Sequence, residues 1–108
     1  RALATLARAL LARGEIVEAS ARAAEAYALL EALGGIEEGE SLVRLVHAEA
    51  LSAAGDTSSA RNAIRAARDH LLGRAAKVTD PELRDGFLTR VPDNARILTL
   101  AREWLEEG

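Results

Sequence analysis

The chain has 108 residues, a formal net charge of −3, no cysteine and three aromatic side chains. This length fits one domain with a core of its own, and the missing cysteines exclude disulfides and thiolate metal sites. The acidic balance argues against nucleic-acid binding, which needs a positive field. No apolar run approaches the ~20 residues of a membrane span and no signal peptide is visible, so we expect a cytoplasmic location.

Two helices separated by Gly14 are predicted at the start of the chain. The first covers residues 2–13, and glycine is favoured just past a helix end. Its inward residues are predicted to be Leu3, Leu6 and Leu10. The second covers residues 15–33, with a buried stripe of Ile16, Ala19, Ala23, Ala26, Leu30 and Leu33. Because Leu3 and Leu6 are already in helical phase behind Arg1, we expect a fragment of a longer protein.

A second pair of helices follows Gly34-Gly35. Glutamates at 37, 38 and 40 crowd the start of the third helix, where negative charge favours the positive end of the helix dipole. This helix runs to about residue 54 and carries Leu42, Leu45, Val46, Ala50 and Leu51. Asp56 or Thr57 caps the fourth helix, 57–77. Its inward stripe is Ala60, Ile64, Ala67, Leu71 and Ala75.

The pattern changes after Val78. Asp80-Pro81 is a helix start signal, and a short fifth helix is predicted over 81–90 with Leu83, Phe87 and Leu88. Pro92 breaks the chain before a sixth helix, about 93–107, with Leu98, Ala101 and Leu105. These two helices indicate a shortened third hairpin, as is common at the end of a repeat array.

The two glycine turns repeat at a fixed distance. Gly55 follows Gly14 by 41 residues, and the same offset relates Ala19 to Ala60 and Leu10 to Leu51. A fixed period with both helices in phase is typical of helical repeats. The sequence therefore predicts an all-α domain of about six helices, stacked as antiparallel hairpins over about 2–33, 37–77 and 81–107.

The pattern of glycine, an acidic residue, an alanine and a second alanine seven residues later resembles the tetratricopeptide repeat. Leu3, Leu6, Ala7 and Leu10 match positions of the family's first helix. Arg44 and His47 depart from it, because the family has large apolar residues there, and the period exceeds the usual ~34 residues. The resemblance implies an α-solenoid that binds a protein or peptide segment.

Two longer stretches, residues 32–51 and 90–96, resemble the C-terminal repeat region of large bacterial signalling proteins with a serine/threonine kinase domain. This resemblance implies a protein–protein interaction scaffold within a signalling protein. Two alternatives stay open: a region that regulates such a kinase in cis, and an effector-sensing repeat array of a transcriptional regulator. The complete coding sequence would distinguish them.

The resemblance also implies a partner-binding surface, because the family's first helices line a concave groove. The matching residues are Thr5, Arg8, Leu42, Leu45, Val46 and Glu49. An apolar floor edged by one cation and one anion would suit an amphipathic partner. Since Arg44 and His47 are off-pattern, the alternative is a rotated third helix with Leu45 and Val46 in the core.

Other side chains give weak signals for chemistry. His47 and Glu49 lack the second histidine of a helical zinc motif, because position 51 is leucine. We find no constellation of acid, base and nucleophile, and so expect no enzyme activity, cofactor or metal. His70 is expected on a solvated helix face.

The arginines of the fourth helix and the expected truncation before the first helix each indicate a further candidate binding surface. Arg61, Arg65 and Arg68 share a stripe, with Arg74 beyond. They would suit an acidic or phosphorylated segment, but a solvated face partly neutralised by Asp69 is favoured. We also expect self-association through an apolar edge on the first two helices.

Overall fold

The computed structural model describes residues 2–34 and 39–105 and contains six α-helices and no strand over those ranges. The helices are α1 (Ala2–Ala12), α2 (Ile16–Ala32), α3 (Glu40–Ala53), α4 (Thr57–Ala75), α5 (Pro81–Thr89) and α6 (Pro92–Leu105). The all-α prediction is confirmed. The expected start of the second hairpin at about 37 and the expected end of the sixth helix at about 107 lie outside the described residues.

The two glycine turns have the same backbone geometry, 41 residues apart. Gly14 has φ 78° and Gly55 φ 89°, in the left-handed region that glycine adopts without a Cβ clash. The residues that follow them, Glu15 and Asp56, both have φ −88° and ψ 74°. In each turn their amide donates to the carbonyl oxygen five residues earlier, at 2.9 and 3.0 Å. The 41-residue spacing in the sequence is therefore matched by one turn geometry, which joins α1 to α2 and α3 to α4 as two hairpins.

The buried stripes of both hairpins are rich in small residues. The predicted stripe of α4 is buried in full, and Ala19, Ala23, Ala26 and Leu30 of α2 are buried as expected. The predictions for Leu6 and Leu33 are wrong, because both are exposed. Fully buried alanines at positions 4 and 7 turn α1 toward its neighbours and leave Leu6 on the flank. Leu33 lies just past the last residue of α2.

Helix α3 lies at the centre of the molecule, in contact with α1, α2, α4 and α6. Val46 packs with alanines of α1 and α2, and Leu45 packs with Ile64 and Leu71 of α4 and Ile97 of α6. The two opposite flanks of α3 therefore belong to different parts of the core.

Helix α6 closes the far side of the core. It packs against both α3 and α4, while α5 contacts α6 and touches α4. Ala101 is buried as predicted, but Leu98 and Leu105 are only half-buried. On α6, the buried apolar residues that the sequence pattern missed are Ile97 and Leu100. On α5, Phe87 and Leu88 pack against the core, and Leu83 is exposed.

Candidate functional site

The predicted apolar groove on the first helices is wrong. Leu45 is 2% exposed and Val46 0%, because α3 is enclosed by its neighbours on both flanks. Neither side chain can form the floor of an accessible groove. This outcome matches the alternative in which these two residues are ordinary core.

Three of the remaining predicted groove residues, Thr5, Arg8 and Glu49, are polar and at least partly exposed, and the fourth, Leu42, packs against the core. Arg8 is exposed and pairs with Asp93 of α6 at 2.6 Å between Nη2 and Oδ1. Glu49 is partly exposed and pairs with Arg96 at 3.5 Å. Thr5 is exposed and Leu42 is half-buried. These ion pairs link α1 and α3 to α6, although pairs of such exposure contribute little to stability. A role in partner binding for these four residues stays a prediction.

The off-pattern residues of α3 face a different surface, between α2 and α4. We name as the polar seam the side chains of Tyr27, Glu40, Arg44, His47 and His70. The ring of His47 stacks on that of Tyr27, with centroids 4.3 Å apart and planes 6° from parallel. The Arg44 guanidinium lies 6.0 Å from the centre of the Tyr27 ring, within range of a cation–π interaction. Arg44 and His47 therefore pack α3 on α2 through an aromatic contact.

Glu40 is the buried charge of the polar seam. Its side chain is 4% exposed at the first residue of α3, where the helix dipole favours a carboxylate. Arg44 Nε donates to it at 3.0 Å. His70 Nε2 contacts the same oxygen without the alignment of a hydrogen bond. A buried carboxylate needs such partners, since an unpaired charge in the interior is costly.

Both histidines of the polar seam have a lowered pKa. For His70, burial lowers the pKa most; Glu40 opposes that shift, and Arg44, Arg74 and Lys77 add to it. For His47, burial again lowers the pKa most, Glu31 opposes the shift and Arg44 adds to it. In both cases burial favours the neutral form of the imidazole over the charged form.

A groove of about 350 Å³ opens beside the ring pair. We name it the stack groove. Its lining residues are Tyr27, His47, Leu51, Ser59, Asn62, Ala63 and Ala66. Ser59 and Asn62 supply polar groups at the rim, and the two alanines leave room along α4. Asn62 Oδ1 accepts a hydrogen bond from Arg65 at 3.0 Å, which fixes the orientation of the side-chain amide.

A second polar contact fixes α6 against the rest of the fold. Asn94 is buried, and its Oδ1 accepts a hydrogen bond of 2.5 Å from the Ser41 hydroxyl. Its Nδ2 donates to the carbonyl oxygen of Phe87 at 2.9 Å. One side chain thus joins the start of α6 to α3 and α5, and both of its polar groups are satisfied.

The arginines of α4 divide between two flanks. Arg68 pairs with Asp69 at 3.0 Å, so Asp69 neutralises Arg68 rather than Arg65. Arg74 lies 5.5 Å over the Phe87 ring, on the flank that faces α5. Arg74 is therefore not an extension of the stripe formed by the other arginines.

The polar seam escaped the sequence analysis except as a departure from a repeat pattern. His70, expected on a solvated face, instead contacts Glu40.

Within residues 2–34 and 39–105, no three His, Cys, Asp or Glu side chains are grouped to hold a metal ion, and no helix has the length and apolarity to cross a membrane. The arrangement offers stacking and hydrogen bonding to a ligand. Comparison with protein-family models, curated proteins and solved structures finds no match to this chain.

Proposed function

We propose that the chain is a helical-repeat interaction module that binds a peptide segment of another protein in the stack groove. The observation that carries the proposal is the Tyr27–His47 ring pair at the edge of an open groove of about 350 Å³. Hairpins with equivalent turns form a rigid frame around it, since α3 supports α2 and α4 at once. A rigid groove reduces the ordering that binding requires.

The chemistry of the groove indicates an apolar side chain flanked by peptide groups. The Tyr27–His47 ring pair lines the groove, and aromatic residues are enriched where proteins bind one another. Because Asn62 Oδ1 is already engaged by Arg65, the amide nitrogen is the group that can donate to a peptide carbonyl. The Ser59 hydroxyl, on the same side of α4, offers a second polar contact.

Our proposal includes the biological setting that the sequence implies. The module belongs to the tetratricopeptide-like repeats of a cytoplasmic bacterial signalling protein, and its function is recognition rather than catalysis. Its support is the 41-residue period together with the resemblance of residues 32–51 and 90–96. In the alternative hypothesis, the module regulates an adjoining kinase in cis, and the bound segment then belongs to the same protein.

Selection from a displayed library of random peptides tests the proposal. We expect a selected consensus with one apolar anchor, and we expect binding to be lost in Ala66→Arg, which fills the groove from an exposed position. The matched control is Ala21→Arg, an exposed position on α2 outside the groove lining, and it should bind like the wild type. Peptides that bind both variants equally well, or no selected peptide at all, would contradict the proposal.

A further inference from the structure

A second cavity, of about 460 Å³, lies beside the stack groove on the first half of α4. We name it the arginine cleft, and its lining residues are Thr57, Ser58, Arg61, Asn62 and Arg65. The arginine cleft meets the stack groove at Asn62, because the side chain of that residue lines both cavities. A segment bound in the stack groove therefore passes close to two guanidinium groups.

The two arginines of the cleft differ from many others in the chain because they lack an acidic partner. Arginines that pair with a carboxylate are Arg8, Arg13, Arg22, Arg44, Arg68 and Arg96. Within residues 2–34 and 39–105, neither Arg61 nor Arg65 forms such a pair, and no acidic residue lines the cleft. Asp69 lies one turn after Arg65 but pairs with Arg68 instead. The positive charge of the cleft is therefore not neutralised by the described part of the chain.

The hydrogen bonds at the cleft determine which donors a ligand can use. Arg65 Nη1 donates to Asn62 Oδ1 at 3.0 Å, which holds the guanidinium at the junction with the stack groove. The opposite edge of the guanidinium, formed by Nε and Nη2, offers two parallel donors that match the two oxygens of a carboxylate. At the start of α4, the Asp56 side chain already accepts a hydrogen bond from the Ser59 amide at 3.2 Å. The helix end is thus capped by an anion of its own, and the donors for a ligand are the arginine side chains.

We propose that the arginine cleft binds the carboxylate of an Asp or Glu side chain in the same peptide whose apolar anchor occupies the stack groove. This inference rests on the proposed function, since it describes the peptide that the stack groove binds. The chain has a net charge of −3, so an acidic peptide is attracted mainly where cations lack acidic partners. An extended chain advances by about 3.3 Å per residue, and the two cavities share Asn62. The acidic residue therefore lies within about two positions of the apolar anchor.

Two displayed peptide libraries test the charge of the partner. One library omits Asp and Glu, the other omits Lys and Arg, and both contain every apolar residue. We expect the best binders from the library without Lys and Arg to have an acidic residue beside the apolar anchor. Their dissociation constants should be about tenfold lower than those of the best binders from the library without Asp and Glu. Equal affinities from the two libraries would overturn the carboxylate proposal and support the proposed function, whereas no binder from either library would contradict both.

Variants of the chain then locate the contact, with a synthetic peptide of the best acidic binder as the probe in fluorescence anisotropy. In Arg61→Gln/Arg65→Gln, the affinity for this peptide should fall about tenfold. The affinity of the wild type should also fall as NaCl is raised from about 0.05 to about 0.5 M, and that of the variant should change less. Arg65→Gln alone, at an exposed position, serves if the double variant melts earlier than the wild type.

The matched control is Arg68→Gln, which removes a guanidinium that Asp69 already neutralises on the same helix, and it should bind the peptide like the wild type. Unchanged affinity in the glutamine variants of the cleft, or an equal loss in Arg68→Gln, would overturn the proposal. A peptide in which phosphoserine replaces the acidic residue should not bind more tightly. Tighter binding of that peptide would overturn the assignment of a carboxylate, since the ligand of the cleft would then be a phosphate.

Discussion

Replacing Ile64 with alanine should cost more stability than any exposed leucine-to-alanine change in this chain. Ile64 is fully buried on α4, in the cluster that joins Leu45 of α3 to Ile97 of α6. The substitution removes three carbon atoms, worth about 2.4 kcal/mol of transfer free energy at about 0.8 kcal/mol per methylene. The cavity that remains raises the expected loss to about 3–4 kcal/mol.

The loss is large enough for ordinary unfolding assays. At about 2.1 cal/mol/K per residue, the unfolding entropy of 108 residues is roughly 230 cal/mol/K, so the melting temperature should fall by about 13–18 °C. Urea titration monitored by circular dichroism gives the free energy of unfolding. An unchanged slope of that free energy against urea concentration shows that both proteins expose the same amount of surface on unfolding. Leu83→Ala is the matched control, because it removes the same number of carbons from an exposed side chain and should cost less than about 0.5 kcal/mol. Equal losses in the two variants would refute the packing of α4 on α3 and α6.

Two other predictions concern pH and backbone geometry. The folded pKa values of His47 and His70 lie below the ordinary 6.5, so the unfolded chain binds more protons as the pH falls. The contribution of the two histidines to stability is therefore complete above pH 6.5 and is lost as the pH falls below it. The melting temperature of His47→Gln/His70→Gln should fall less between about pH 7.5 and 5.5 than that of the wild type. Parallel plots of melting temperature against pH for the two proteins would contradict this prediction. Gly55→Ala should destabilise by about 1–2 kcal/mol, because φ of 89° is unfavourable with a Cβ, whereas Gly73→Ala, inside α4 with open space around it, should stabilise by about 0.5–1 kcal/mol. Chemical denaturation gives the change in the free energy of unfolding for both variants, and with it the sign of each change. A loss of stability of the same size in Gly73→Ala would show that the turn geometry is not the cause.

Helix ends and the two glycine turns were predictable because local chemistry determines them. A glycine with positive φ ends α1 and α3, and Asp80 caps α5 through hydrogen bonds to the amides of Glu82 and Leu83. Such signals depend on a few neighbouring residues and need no knowledge of the tertiary fold.

The faces of the helices were harder to predict. Leu6 and Leu33 have the apolar character of core residues, but alanines form the contact instead, because they allow the helices to approach closely. The burial of Leu45 and Val46 on opposite flanks depends on α3 having neighbours on both sides, which periodicity along one helix cannot reveal. The polar seam joins residues of three helices, and the only sequence signal for it was the mismatch of Arg44 and His47 with a repeat pattern.

The central position of α3 also affects how the chain unfolds. A repeat array in which each unit contacts only its neighbours can lose its terminal units one at a time. Here Leu45 connects α3 to α4 and α6, and Val46 connects it to α1 and α2, within two consecutive residues. Separation of hairpin α1–α2 would expose Val46 to water, whereas loss of α6 would expose Leu45. Both of these junctions depend on a single turn of α3, and cooperativity in this chain therefore extends across the boundary between its two hairpins.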